Sequence, residues 1–240
     1  MNVHIFGHSI CRRAKHKLLN EEGFSFPENP TFVDMFFEKY NLNEQCFFQA
    51  DCSSEERILY FLKKIPAKID IAIIFHGIPN YIFCPGLDRD LSPNTEKDFW
   101  ESGLLDKFKF RQNILKDKSA SELIELDKAE FKQAFESYVD YFYTNDLAMN
   151  RYYGALIQID QYLTAKKIPA IHCMLDHSLA MPSWFKFSSG VVDFELASMQ
   201  KPSEQFPYAP PISANHVSLE GNKYIFNKLE SYIQQLSSNK

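Results

Sequence analysis

The sequence predicts an α/β fold in three layers, with a parallel sheet between two sets of helices, and three observations carry the prediction. Short runs of consecutive apolar residues, of which Ile69 to Phe75 (IDIAIIF) is the clearest, read as strands buried on both faces. Amphipathic helical patterns alternate with those runs along the chain. Polar and titratable residues gather just after the apolar runs, at the sheet edge where open parallel sheets bind ligands.

The elements follow in order. Val3 to Phe6 is the first strand, ending at Gly7-His8-Ser9, and a helix is expected from Ile10 to Leu19. A second helix, about Thr31 to Tyr40, leads to a strand near Cys46 to Ala50. Ser53-Ser54-Glu55-Glu56 reads as a capping box. The helix it opens carries Ile58, Leu62 and Ile65 on one stripe and stops before Pro66. After Ile69 to Phe75 the alternation breaks, and about 85–145 reads as an irregular and helical insertion. Its helix is expected from Asp127, with Phe131, Phe135, Tyr138 and Phe142 as the apolar stripe. A helix from about Leu147 to Lys167 buries Tyr152, Leu156, Ile159 and Leu163, and Ile168 to Leu175 is the fourth strand. An aromatic loop, about 177–211, precedes a last helix from Leu219 to Leu236.

A chain of 240 residues, 45% hydrophobic, fits one domain spanning 1–240 with a core that needs no staple. The net charge of −5 offers no electrostatic footprint for nucleic acid. No apolar run approaches the ~18 residues of a membrane span. Arg12, Arg13 and Lys15 follow the first apolar stretch, the reverse of a secretory signal. Five cysteines without a C-x-x-C pair suit reduced thiols and a cytoplasmic location.

The strand ends nominate the chemistry. Gly7, His8 and Ser9 follow strand one; Asp51, Cys52 and Ser53 follow strand two; His76, Gly77 and Asn80 follow strand three. His172, Asp176 and His177 belong to strand four and its exit, and His216 precedes the last helix. Gly7 lets the chain turn off the strand so that Ser9 stands at a helix start, where unpaired N–H groups face whatever its hydroxyl attacks. The plain alternative is a Ser9 that only caps that helix. Arg12 and Arg13 in the first turn suggest an anionic substrate at the mouth, or solvated surface charge.

VHIFGHS, IDIAIIFHGIPN and ANHVSLEGNKYIFNKL together resemble the SGNH (GDSL-type) hydrolase family, over the strand framework at both ends of the chain. The resemblance implies a flavodoxin-like SGNH fold and a serine esterase or acetylesterase. Within it, Ser9 matches the nucleophile and His216 the general base. The oxyanion hole falls to the Ser9 backbone N–H, the Asn80 amide with Gly77 opening its turn, and a backbone N–H near Cys52. His8 stands where the family has Asp, and Ser213 stands where the family's acid precedes the histidine by three. Asp176 and Asp193 are the substitute orienting acids, and a Ser-His dyad is the alternative; misorienting the imidazole costs roughly 10⁴ in turnover. His8, His76, Trp184 and Phe185 are expected to line the pocket.

The expected partner is a small-molecule or carbohydrate ester, with no cofactor, nucleic acid or membrane, and the oligomeric state is left open. Two other readings stand beside it. One is an inactive binding protein on the same fold, its aromatic side chains stacking on sugar rings. The other is a metal-dependent hydrolase whose ion is held by strand-end residues from among His8, His76, His172 or His177, and Asp176.

Overall fold

The computed structural model describes residues 1–11, 13, 29–42, 46–49, 54–65, 68–77, 82–84, 89–91, 133, 137, 141–174, 182, 184–196 and 217–238. Seven strands are described: β1 (Val3–Gly7), β2 (Phe47–Gln49), β3 (Ile71–Phe75), β4 (Ile82–Cys84), β5 (Arg89–Leu91), β6 (Ala170–Cys173) and β7 (Gly190–Asp193). The helices are α1 (Phe32–Tyr40), α2 (Glu55–Lys64), α3 (Asn145–Ala165) and α4 (Leu219–Ser238), and a 3₁₀ turn, Ser9–Cys11, follows β1. No described helix is long and apolar enough to cross a membrane.

Five strands form one sheet in the order β2-β1-β3-β6-β7, every neighbouring pair parallel. Numbered within the sheet this is 2-1-3-4-5, a common doubly wound order, and the chain reverses direction across the sheet between β1 and β3. Helices cover both faces. Val3, Ile5, Ile71, Ile73 and Phe75 pack with α1 and α4 through Phe32, Phe36, Ile225, Leu229 and Ile233. On the other face Phe6, Ala72, Ile74 and Ala170 pack with α2 and α3 through Ile58, Leu62, Ile159 and Leu163. Burial on two sides is why β1 and β3 are apolar without alternation.

Local chemistry sets the helix ends. Thr31 and Asp34 make a reciprocal capping box at α1, and Asn41, at φ 49°, closes that helix in the left-handed region that asparagine tolerates. Thr144 caps α3. At α2 the cap is Ser54, whose oxygen accepts from the Arg57 N–H, one residue later than the expected box. Glu56 pairs with Arg151 of α3, and Glu55 turns toward the end of β3.

The structure also corrects two expectations about loops. The stretch 177–211 contains β7, paired in parallel with β6. Four residues, Gly-Val-Val-Asp, carry no usable period, and only the neighbouring strand makes them one. Gly190 is required there: a Cβ would stand 1.9 Å from the Ala170 carbonyl oxygen. The stretch after β3 contains the antiparallel pair β4–β5, and Phe142, expected to face inward, is 67% exposed. The remainder of the expected 127–142 helix stripe, and all but Ile10, Cys11 and Arg13 of the Ile10 to Leu19 helix, lie outside the described residues.

Candidate functional site

The reversal point between β1 and β3 brings the ends of those two strands side by side. At β1, Gly7 packs so tightly that a Cβ would lie 2.3 Å from Cys11 Sγ and 3.0 Å from Phe75 Cβ. The backbone turns at once, with Cys11 N–H donating to the His8 carbonyl at 2.8 Å, so Ser9 opens the 3₁₀ turn. His8 Nε2 is buried and has no hydrogen-bond partner among the described residues. Burial holds its pKa down at about 4, so the ring is neutral at physiological pH. The Cys11 thiol is pushed up by complete burial and is no ready nucleophile.

At the end of β3 the site differs from expectation. His76 was expected to line a pocket, and Gly77 to serve the oxyanion hole. Instead His76 is fully buried, with Nδ1 2.7 Å from Glu55 Oε2 and Nε2 2.9 Å from His172 Nδ1. The Gly77 N–H donates to Glu55 Oε1 at 2.7 Å, so it is not free to bind an oxyanion. A carboxylate at the first turn of α2 reaches across because α2 enters directly beside β3, and a buried N–H must find an acceptor.

These contacts belong to a longer chain of hydrogen bonds under α3. His172 Nε2 lies 2.9 Å from Ser189 Oγ, and that hydroxyl lies 2.6 Å from Asp160 Oδ1. Asp160 also accepts the Ser188 and Ser189 N–H groups at 2.9–3.0 Å. Burial, reinforced by the neighbouring His76, keeps the His172 pKa well below the usual range, and this ring is neutral. Phe187 stacks on His172 with centroids 3.9 Å apart, and Phe185 packs edge-on against Phe187. Trp184 leans on Phe185 and is 70% exposed. The expected pocket aromatics therefore run from the surface down to the histidine pair. His76 and His172 direct their facing nitrogens at each other, and among the described residues no cluster of three or more metal-ligating side chains occurs.

The two ends of the chain meet on the opposite face. Arg13, four residues after Ser9, donates Nε to Asp34 Oδ1 at 3.2 Å and lies over the Phe37 ring at 3.6 Å. Through Nε its charge is paired with the carboxylate of the α1 cap. Asn222 Oδ1 accepts the Phe32 N–H at 2.9 Å, and its amide donates to the Val217 and Ser218 carbonyls. Val217 shares one buried cluster with Ile10, Cys11 and Phe32.

Asp193, one of the two expected orienting acids, sits at the end of β7. Oδ1 accepts the Glu195 and Leu196 N–H groups, and Oδ2 accepts from Tyr232 and Lys228. Burial opposes its ionisation, and those four donors overcome it and lower its pKa. A carboxylate offers about four acceptor positions, and here all are filled, leaving none for an imidazole. The backbone of Ser9 is described but not its side chain. Cys52, Asn80, Asp176, His177, Ser213 and His216 lie outside the described residues.

Sequence reading missed Glu55, Asp160, Ser189 and Asn222. Glu55 is hidden by its place in a helix-capping pattern, and Asp160 and Asn222 look like ordinary polar positions of helices. For the three helical residues a signal did exist: Glu55, Asp160 and Asn222 each fall one turn from apolar stripe residues, where a solvated side chain is not expected. No family model, curated protein or solved structure matches this chain.

Proposed function

We propose that the protein is a serine-dependent ester hydrolase, a divergent SGNH-type enzyme in which Ser9 is the nucleophile and His216 the general base. One observation carries this reading: Ile10 and Cys11, directly after Ser9, share a buried cluster with Val217, directly after His216. Residues 206 and 207 positions apart are thereby tied to one side of the sheet, and Asn222 fastens the backbone there to α1. The strand order and the sharp turn behind Gly7 at the β1/β3 reversal support the same reading.

Ser9 Oγ attacks the ester carbonyl while His216 takes its proton and passes it to the leaving alcohol; water then releases the acyl group by the reverse proton path. The Ser9 N–H, the Asn80 amide and a backbone N–H near Cys52 hold the oxyanion. The orienting group is Asp176 or a backbone carbonyl, or His216 acts in a dyad. The substrate is a small acyl ester, carbohydrate esters included.

A fluorophosphonate probe tests this directly. Ser9 becomes labelled in the wild type and not in Ser9→Ala, labelling collapses in His216→Ala, and ester turnover rises with pH through a histidine pKa of ~6.5. A folded wild-type protein that takes no label and turns over no ester overturns the reading and favours the binding protein.

A further inference from the structure

We propose that Glu55 is a positioning residue, whose two oxygens clamp the Gly77 backbone and the His76 ring and so fix the chain at the end of β3, three residues before Asn80 in sequence. The inference rests on the esterase reading for its catalytic consequence, but its geometry stands apart from it.

The hydrogen bonds leave little freedom in where protons lie. Asp160 accepts two backbone N–H groups, and the Ser189 hydroxyl donates to the same carboxylate at 2.6 Å. The Ser189 oxygen must then accept from His172 Nε2–H. His172 is neutral, so its Nδ1 is a lone pair and accepts from His76 Nε2–H. One further proton lies between His76 Nδ1 and Glu55 Oε2, and the other Glu55 oxygen takes the Gly77 N–H. Every polar atom along this buried line is matched, and each bond fixes the direction of the next.

Asp160 and Ser189 thus set the tautomer of His172, His172 sets that of His76, and Glu55 converts the result into a fixed backbone at Gly77. The groups facing the line come from α2 (Glu55), β3 (His76), β6 (His172), the lead-in to β7 (Ser189) and α3 (Asp160). Glu55 also follows Cys52 by three residues. One side chain therefore ties the start of α2 to the exit of β3, and both flank segments assigned to the oxyanion hole. Misplacing an oxyanion donor costs about 10²–10³ in kcat.

The experiment pairs Glu55→Ala with Glu55→Gln. Glutamine keeps an oxygen for the Gly77 N–H and presents an NH₂ to His76 Nδ1, which then accepts while Nε2–H still points at His172. With p-nitrophenyl acetate, Glu55→Ala is expected to lose about 10²-fold in kcat with KM moving less than about 3-fold, and Glu55→Gln to recover most of it. In parallel, ¹⁵N spectra of the wild-type histidine rings should show His172 as the Nε2–H tautomer. The Gly77 amide should be strongly protected from exchange in the wild type and in Glu55→Gln, but not in Glu55→Ala. Equal activity of Ala and wild type, or a loss that Gln does not recover, overturns the positioning role. Should the wild type lack esterase activity, the esterase reading fails alone. The ring tautomer and Gly77 protection then decide the clamp, and a His172 Nδ1–H tautomer or an unprotected Gly77 refutes it even if Glu55→Ala does not fold.

Discussion

Replacing Asn222 with alanine removes the residue that fastens the start of α4 to the start of α1. Its side chain is fully buried, and its hydrogen bonds at 2.9–3.1 Å include one accepting the Phe32 N–H and two donated to carbonyls. Ser218 O keeps a second donor, the Asn222 N–H, so the principal loss is the orphaned Phe32 N–H. An unmatched buried donor costs about 1–3 kcal/mol, and the lost side-chain bonds add about 1 kcal/mol. A destabilisation of about 3 kcal/mol follows, within the 5–15 kcal/mol typical of a domain, so the variant still folds. With a urea slope of about 2–3 kcal/mol per molar, the unfolding midpoint falls by roughly 1–1.5 M. Asn222→Asp is the sharper probe. It keeps the acceptor for Phe32 but turns an oxygen toward the Val217 and Ser218 carbonyls. Burial and those carbonyls raise the folded-state pKa of the new acid, so its destabilisation grows as pH rises through ~4. A midpoint shift below about 0.3 M for the alanine variant, or a pH-independent aspartate variant, refutes this account of how α4 is anchored.

Two further outcomes follow from the buried charges. His8 titrates at about 4 in the folded protein because burial disfavours its charged form, against ~6.5 when unfolded, and burial lowers His4 and His172 in the same direction. The unfolded chain then binds more protons in that window. Stability is therefore full above about pH 7 and falls as pH drops through 6.5 toward 4, with His8 alone contributing up to about 3 kcal/mol; a urea midpoint unchanged between pH 7.5 and 4.5 contradicts this. Arg13→Ala should lower stability by about 1–2 kcal/mol through loss of the Asp34 pair and the stacking on Phe37. It should change turnover of acidic and neutral esters alike, and selective loss on acidic esters returns Arg13 to the substrate.

The legible parts of this protein are those whose causes are local. Thr31-x-x-Asp34 marks the start of α1, Pro66 marks the region where α2 ends, and the 3.6-residue spacing of Tyr152, Leu156, Ile159 and Leu163 marks the buried stripe of α3. Ile71–Phe75 announces a strand covered twice because no polar residue interrupts it. The illegible parts depend on a partner distant in sequence. β7 is a strand only because β6 lies beside it, and Glu55, which reads as part of a helix cap, gives its carboxylate to Gly77 and His76 instead.

For the candidate site the division is the same. The placement of Gly7, Ser9, His76 and Gly77 at strand ends follows from strand periodicity alone, since a run of apolar residues must end where the chain leaves the sheet. Whether such a group faces a ligand or the interior depends on which polar atoms fold against it. His76 faces Glu55 and His172, Gly77 gives its N–H to Glu55, and Asp193 is filled by Tyr232, Lys228 and two backbone amides. Sequence order determines which residues reach the edge of the sheet. Hydrogen-bond pairing across residues 21 to 96 positions apart determines which of them are consumed in holding it together, because a buried polar atom takes the partner that geometry supplies.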